Sequence, residues 1–509
     1  MKLLPLLMVV VALPSFGQGR RVYPVPTETA EVKALRQESR PMVVTRTDVT
    51  LPSSVDNSKL KYFPAIFEQR GGSCAQSSGI RYLFTYEMNR YLDRDAQASS
   101  ENTFSYFYTW NFLNEGKDQG GFAEQGLSIA KKQGVMSLAD FPEPSTYYGF
   151  PWMTGYEKYV RSMRYRVKEV LSFGMTTQAD IDAARRYLYD CGNGSEHGGV
   201  LSFSSLAEDW KFDTNYSGPS ETGYHYLLTK LATDGAHAMT IVGYDDTVEK
   251  EIDGEVRRGA FIVANSYGTW WGDKGFYYLP YYFFLSEHNS QVLSHDATGC
   301  TVEVREPQVV FRVKVSYSSR NDLAFVMGVA DKPYALSPTL TVNSAIADNQ
   351  GGDHPMQGAN ASTNDVELAF DFSDMAAQAK GYAEPKYFLN VVRSEKGKLG
   401  EGSIMAFSVV DYRDASGPKV YTYDFDAPVP LAKGSNLFGL ATTALKTTSA
   451  SAIQWLNNLG QPYSYPYVMR TQSGKYAKFD VTSYDSSSGR ATIRYYIRRN
   501  GSRDLGTLK

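Results

Sequence analysis

Cysteine, histidine and basic runs are all scarce in this chain, and each scarcity excludes a class of function. The 509 residues include three cysteines and six histidines, and these do not cluster at the spacing of a metal site. The formal charge is −3 and basic runs are short, such as Arg498-Arg499, which argues against binding to nucleic acid. We therefore predict no metal, no cofactor and no nucleic-acid partner.

The amino terminus carries an apolar run, Leu3 to Leu13, that is too short to span a membrane. It follows Met1-Lys2, and small residues stand before Gln18 at the positions that a signal peptidase reads. We predict a signal peptide at residues 1–17 and export to the periplasm or the medium. No integral membrane segment is then expected after cleavage, and the lack of a following cysteine excludes a lipid anchor at this site.

The segment from Phe67 to Ser78 places a cysteine at the start of a predicted helix. It reads F-E-Q-R-G-G-S-C-A-Q-S-S, in which two glycines supply a turn and Ser73 supplies a helix cap. Apolar residues then recur at helical spacing from Ile80 to Tyr91. Because the amides at the start of a helix stabilise an anion and lower a cysteine pKa, we expect Cys74 to become a thiolate.

Two later segments add a histidine and an asparagine. His237 opens an apolar run with strand character, and Asn265 ends a second strand before a turn rich in glycine and aromatic residues. An imidazole near a thiol can hold the thiol's proton, and an asparagine amide can fix the ring by accepting from its other nitrogen. Trp270 and Trp271 are expected to pack over the asparagine and shield this hydrogen bond.

These segments resemble the papain-like cysteine peptidases, in a bacterial exported type with a carboxy-terminal β domain. The family has an H-A-x-x-x-V-G-Y strand and an N-S-W-G-x-x-W-G-x-x-G-Y run, where this chain reads H-A-M-T-I-V-G-Y and N-S-Y-G-T-W-W-G-D-K-G-F. The resemblance covers roughly residues 50 to 300. It implies an α+β domain with Cys74 as nucleophile, His237 as base and Asn265 as the group that orients His237, and it implies that Gln69 binds the oxyanion.

The chain also departs from the family pattern. Gly71 stands where the family has a second cysteine, Ala75 and Tyr267 stand where it has tryptophans, and Gln69 lies five residues before Cys74 where the family has six. Strict register would put Glu68 in the oxyanion hole, but a carboxylate would repel the oxyanion, so we predict Gln69 there. If Cys74 stays free, Cys191 with Cys300 is the remaining pairing for a disulfide, and whether they pair is left open.

The domain organisation follows from composition and strand patterns. Residues 18–50 are predicted to be a short propeptide or leader arm, with a helix from Thr29 to Glu38, that either blocks the cleft or merely leads into it. Residues 51–305 are predicted to form the papain-like domain, and a fragment ending near Cys300 is expected to keep the active site but to lose a function of location or stability. Short alternating strands predict a β-sandwich of jelly-roll or immunoglobulin type at 306–430, and a second β module or a continuation of the sandwich at 431–509.

The function that this pattern favours is an exported cysteine endopeptidase acting on protein or peptide substrates through an acyl-enzyme. Two alternatives stay open: an inactive peptidase-like protein that binds a peptide or glycan, and an acyl or glutamyl transferase with the same triad. The β region is a candidate for contact with a cell surface or a glycan. Substrate preference and oligomeric state do not follow from the sequence.

Overall fold

The computed structural model describes residues 23–46, 48–145, 147–285, 296–333, 335–394, 396 and 400–443, and the backbone of three strands between 467 and 497. The predicted signal peptide lies outside these residues. Among the described helices, none is long and apolar enough to cross a membrane.

Most helices lie in the first part of the chain. The α-helices are α1 (Ala30–Glu38), α2 (Cys74–Gln76), α3 (Thr85–Leu92), α4 (Tyr106–Leu113), α5 (Ala123–Lys132), α6 (Tyr156–Ser162), α7 (Gln178–Asp190) and α8 (Ser373–Gln378). A π-helical stretch, Ser77–Phe84, joins α2 to α3. Short 3₁₀ turns lie at Asn57–Lys59, Ser100–Asn102, Tyr147–Gly149, Tyr281–Phe284 and Arg320–Asp322.

One large sheet organises the described residues before Arg305. Its strands are β1 (Arg40–Pro41), β2 (Ser54–Asp56), β3 (Tyr165–Gly174), β4 (Leu201–Leu206), β5 (Lys211–Asp213), β6 (Leu227–Lys230), β7 (Ala236–Ile252), β8 (Glu255–Ala264), β9 (Phe276–Pro280) and β10 (Asp296–Val304). Their order is β1-β3-β10-β4-β7-β8-β9-β6-β5, with β2 on β7. Because β7 and β8 are antiparallel neighbours, the start of β7 and the end of β8 lie at the same end of the sheet.

Two further sheets follow, and they face each other. The first contains β11 (Val309–Tyr317), β14 (Asp365–Asp371), β16 (Gly402–Asp411), β17 (Lys419–Thr422) and β18 (Val429–Pro430), and the second contains β12 (Leu323–Ala330), β13 (Leu340–Asn343), β15 (Lys386–Arg393) and β19 (Gly434–Ala441). The rings of Phe311 in β11 and Tyr387 in β15 lie 5.9 Å apart between the sheets. In β11, Arg312 and Lys314 alternate with buried apolar residues, which is the pattern of a strand covered on one face.

Within the described residues, the sandwich extends past residue 430, where the sequence predicts its boundary. Strand β19 pairs with β15 along its whole length, so residues 434–441 continue the sandwich. Strands β20 (Tyr467–Arg470), β21 (Tyr476–Asp485) and β22 (Arg490–Ile497) pair with one another in a separate three-stranded sheet. The order of elements agrees with the predicted α+β region followed by strands.

The α+β region and the sandwich share one apolar core, which the sequence analysis did not anticipate. Strand β14 lies at the edge of its sheet, and the helical region covers it: Gln133 Nε2 donates to Ala369 O at 2.9 Å, and Gly155 N donates to Glu367 O at 3.1 Å. Covering an exposed edge removes unpaired backbone groups. We therefore do not expect a fragment ending near residue 305 to fold independently, so the loss of stability that the sequence predicts for such a fragment should be large.

A buried ion pair joins the two regions at this edge. The Arg166 side chain is fully buried and bonds the Asp371 carboxylate. It also donates to Met163 O at 2.6 Å and Lys132 O at 2.8 Å, so the cation is surrounded by acceptors. Removing the carboxylate would leave a buried charge without its counter-ion.

We expect Asp371→Ala to lower the free energy of unfolding by about 3–5 kcal/mol, because breaking one side of a buried pair is strongly destabilising. The matched control is Asp374→Ala, which removes the partner of Arg305 in an ion pair at 2.7 Å whose Asp374 side chain is 73% exposed. An exposed pair contributes about 0–1 kcal/mol. Denaturant unfolding of the two variants tests this, and equal losses would contradict it.

Candidate active site

Cys74 lies at the first residue of the helical stretch that runs from α2 through α3, and it is 6% exposed. The turn before it requires glycine. Gly71 has φ +58°, and a Cβ on Gly72 would lie 2.4 Å from the carbonyl carbon of Gln119. The close approach of the 119–120 loop thus fixes the start of the helix, and with it the position of the thiol.

The cap of this helix differs from the prediction. The Ser73 side chain makes no capping bond and donates instead to Arg70 O at 2.8 Å, while Ser73 O accepts from Ser77 N at 2.8 Å. One turn after the cysteine, the Ser78 hydroxyl donates to Met239 O at 2.6 Å. Because Met239 lies two residues after His237, this bond ties the helix of the thiol to the strand of the imidazole.

His237 is the second residue of β7, and Asn265 directly follows β8, so the antiparallel pairing brings them together. Both are fully buried, and His237 Nε2 lies 2.7 Å from Asn265 Oδ1. The backbone N–H of Ser266 also donates to Oδ1, at 2.7 Å, which fixes the orientation of the amide. Nε2 is therefore the donor to Asn265.

The other ring nitrogen of His237, Nδ1, is available to accept a proton. His237 Nδ1 is buried and has no hydrogen-bond partner in the part of the chain that the structure describes. With its proton on Nε2, the neutral imidazole presents a lone pair at Nδ1. Cys74 packs against Ala238, the residue that follows His237, and both Cys74 and His237 line the same cavity.

Aromatic rings cover the imidazole, and of the two tryptophans expected there only Trp271 takes part. Tyr267 stacks on His237 with ring centroids 4.5 Å apart, and Trp271 meets Tyr267 edge-on at 5.7 Å. Trp270, predicted to pack over the asparagine, is 59% exposed. Tyr267 and Trp271 therefore shield the His237–Asn265 bond from water.

Gln69 is turned inward and Glu68 is exposed. The Gln69 backbone N–H donates to Ser266 O at 2.8 Å, and its side-chain Oε1 accepts from Ser266 Oγ at 2.5 Å. Its Nε2 donates to Gly71 O at 3.0 Å, which leaves the second hydrogen of this NH₂ group. The amide is thus held by the residue that follows Asn265.

The arm before the α+β region lies across the cavity that holds Cys74 and His237. This cavity of about 240 Å³ is lined on one side by Cys74, His237 and Gly121, and on the other by Tyr23 and Pro24. Tyr23 O accepts from Ala236 N at 2.7 Å, directly before His237. The Tyr23 hydroxyl donates to Asp118, 2.9 Å from each carboxylate oxygen.

Farther along, the predicted arm helix is present as α1, with Thr29 as its cap. Arg36 in α1 pairs with Glu124 at 2.8 Å, and its guanidinium lies 5.3 Å from the centroid of the Phe122 ring. Strand β1 then joins the large sheet beside β3. The sequence predicts this helix but not the roles of Tyr23, Arg36 and Asp118, because their contacts lie about 90 residues apart along the chain.

Burial governs the charge state of the site. It raises the pKa of the Cys74 thiol above 9.0, against the opposing effect of the backbone amides of Ala238, Ala75 and Cys74 itself. It lowers the pKa of His237 from 6.5 to about 4, although the bond to Asn265 acts in the other direction. Burial therefore opposes the thiolate that the helix start favours, and in this covered state it favours the neutral thiol and the neutral imidazole.

We expect His237 to make the protein less stable in acid. Its pKa is lower in the folded protein than in the unfolded chain, so the unfolded chain binds more protons between pH 6.5 and pH 4. Stability is lost as the pH falls through this interval, by up to about 3 kcal/mol from this residue. Denaturant unfolding near pH 7 and pH 4 should show a smaller difference for His237→Gln than for the wild type.

The matched control for this comparison is His225→Gln, which changes an exposed histidine just before β6. An acid-induced loss in His237→Gln equal to that of the wild type would contradict the expectation.

Comparison with solved structures found similarity to a cysteine protease and to two procathepsins. Xylellain from Xylella fastidiosa is 17% identical over 56% of this chain and 98% of its own, with a TM-score of 0.38. ProCathepsin B S9 from Trypanosoma congolense is 16% identical over 56% of this chain and 87% of its own, also at 0.38. Procathepsin L 3 from the larval midgut of Tenebrio molitor is 15% identical over 55% and 76%, at 0.36. No protein-family model and no curated protein matches the sequence.

Proposed function

We propose that this chain is an exported, papain-like cysteine endopeptidase made in a latent form. The observation that carries the proposal is the orientation of His237. Its Nε2 is committed to Asn265 at 2.7 Å, and its buried Nδ1 is left as a base in the cavity that Cys74 lines. A thiol, an oriented imidazole and an amide that fixes the ring are the groups that nucleophilic catalysis by cysteine requires.

The reaction follows from these groups. His237 Nδ1 takes the Cys74 proton, and the thiolate sulfur attacks a peptide carbonyl carbon to form a tetrahedral oxyanion. The Cys74 backbone N–H and the remaining Gln69 Nε2 hydrogen stabilise this oxyanion. His237 then gives its proton to the leaving amine as the C–N bond breaks. Water, deprotonated by His237, attacks the acyl-enzyme and releases the acid and the free thiol.

The arm from Tyr23 to Arg46 is proposed to keep the enzyme latent. The Tyr23 carbonyl accepts a hydrogen bond from the backbone N–H of Ala236, at the edge of the cleft beside the imidazole. Pro24 and Pro26 have no N–H, so the arm cannot extend this pairing at either residue. The arm thus covers the site through a few contacts, and burial under it favours the neutral thiol and imidazole over the ion pair.

The test uses the full chain purified after export, before and after treatment that removes the arm. We expect a thiol-directed epoxide to label the protein and a mixed peptide library to be cleaved, more strongly after removal. Addition of an amine such as hydroxylamine or a glycine ester separates the transferase alternative, since a transferase would yield mainly the amine adduct. Labelling without any turnover would favour the inactive binding protein and would contradict the proposal.

A further inference from the structure

The Asp118 carboxylate lies at the edge of the cleft, in the connection between α4 and α5. It is partly buried, and it accepts hydrogen bonds both from the turn before Cys74 and from the arm. Oδ1 accepts from the backbone N–H of Gly72 at 2.7 Å, and both oxygens accept from the Tyr23 hydroxyl at 2.9 Å. The Tyr147 hydroxyl is a more distant donor to Oδ2, at 3.4 Å.

The surroundings of this carboxylate are aromatic and tightly packed. A Cβ on Gly71 would lie 2.4 Å from Asp118 Oδ1, 2.8 Å from the Tyr147 ring and 3.0 Å from the Trp110 ring. The bond from Gly72 N holds the carboxylate in place whether or not the arm is present. When Tyr23 leaves, each oxygen loses one donor while Gly72 N–H still bonds Oδ1, and the neighbouring aromatic rings of Tyr147 and Trp110 remain.

We propose that Asp118 is the acceptor of a side-chain subsite that selects substrates carrying a tyrosine near the scissile bond, and that Tyr23 of the arm occupies this subsite in the latent form. The inference rests on the proposed peptidase function and names a substrate class for it. The occupant that the chain supplies is itself a phenol, buried to 7% exposure with its hydroxyl on the carboxylate.

The subsite should discriminate a phenol from a phenyl ring. A hydrogen bond to a charged acceptor is stronger than a neutral one, and a site built around a hydroxyl rejects the analogue that lacks it, because its polar group is left unpaired. Since Asp118 is only partly buried, water can replace some of the lost bond. We therefore expect a preference of about tenfold for tyrosine over phenylalanine, well below that of a fully buried site.

The first measurement is binding, which does not depend on catalysis. The full chain with Tyr23→Ala and Cys74→Ala is mixed with fluorescent peptides of the arm sequence Arg20 to Thr29, made with tyrosine or with phenylalanine at position 23. We expect the tyrosine peptide to bind about tenfold more tightly. Adding Asp118→Ala should bring the ratio close to one, and Asp118→Asn, which keeps one acceptor oxygen, should leave an intermediate ratio.

The second measurement is turnover by the Tyr23→Ala chain with Cys74 intact. Peptide pairs differ only in tyrosine or phenylalanine at each residue on the amino-terminal side of the cleaved bond. We expect kcat/KM to favour tyrosine at one of these positions, and Asp118→Ala to abolish that preference.

Within each variant, the ratio between the tyrosine and phenylalanine peptides distinguishes substrate selection by Asp118 from a role only in holding the turn before Cys74. If Asp118 only holds Gly72, its loss lowers turnover of both peptides equally and leaves the ratios unchanged, which overturns the subsite. Equal binding of the two arm peptides also overturns it. A tenfold binding preference in a chain that cleaves no peptide would leave the subsite standing and would remove the peptidase function instead.

Discussion

Cys74→Ala is expected to abolish both peptide hydrolysis and labelling by a thiol-directed epoxide. The fall in kcat/KM should be at least about a thousandfold. The reason is that neighbouring hydroxyl groups in the same helical stretch are already engaged: Ser73 donates to Arg70 O, and Ser78 donates to Met239 O inside the protein. The small change at a residue in the first turn of a helix should leave the fold intact. Activity assays with the purified variant, and its denaturation midpoint, provide the measurement.

The matched control is Cys300→Ala, which removes a free and fully buried cysteine from β10. Burial raises its thiol pKa far above 9.0, so it is unreactive in the folded protein. Labelling and hydrolysis should persist in this variant. Turnover of more than a few per cent in Cys74→Ala, or loss of labelling in Cys300→Ala, would overturn the assignment of the nucleophile.

Loosening the arm should raise activity. The double variant Tyr23→Ala with Arg36→Ala removes the bonds to Asp118 and Glu124 and leaves the catalytic residues unchanged. Each of these charge-assisted bonds has at least one partly exposed partner and contributes about 1 kcal/mol, so we expect an increase in kcat/KM of about 10-fold to 100-fold before any processing. Initial rates with a fluorogenic peptide at fixed protein concentration measure it.

Arg40→Ala is the control for this increase. Arg40 belongs to the same arm and pairs with Glu169 at 3.0 Å, but it lies in β1 beside β3, outside the residues that line the cavity. Its loss should leave the rate within about twofold, as expected for an exposed ion pair. An unchanged or lower rate in the double variant would show that the arm does not restrain the enzyme.

The sequence predicted the local parts of the site well. Thr29 caps a helix that ends at Glu38 as expected, Cys74 begins a helix, and His237 and Asn265 lie at strand ends. These features depend on neighbouring residues: a cap, two glycines and apolar periodicity. The inward position of Gln69 was also expected, because only an amide can serve as a donor there.

The features that could not be read from the sequence depend on distant parts of the chain. The dipole of the helix start favours a thiolate at Cys74, but the arm and the surrounding protein bury the thiol, and burial has the larger effect. Trp270 and Trp271 are adjacent in sequence, yet Trp270 is exposed and Trp271 packs on Tyr267. The shared core was missed because each region, taken alone, has the composition of an independent domain.

The covered edge of β14 has a consequence for the order in which the parts of this protein become stable during synthesis. Arg166 bonds Asp371 across a separation of 205 residues, so a ribosome must synthesise about half of the sandwich before that charge finds its counter-ion. Contacts of such long range form late and slow the folding of a chain. The catalytic residues are all translated by position 265, but the support beneath them arrives about a hundred residues later. An interrupted chain therefore carries Cys74, His237 and Asn265 without the stable scaffold that positions them.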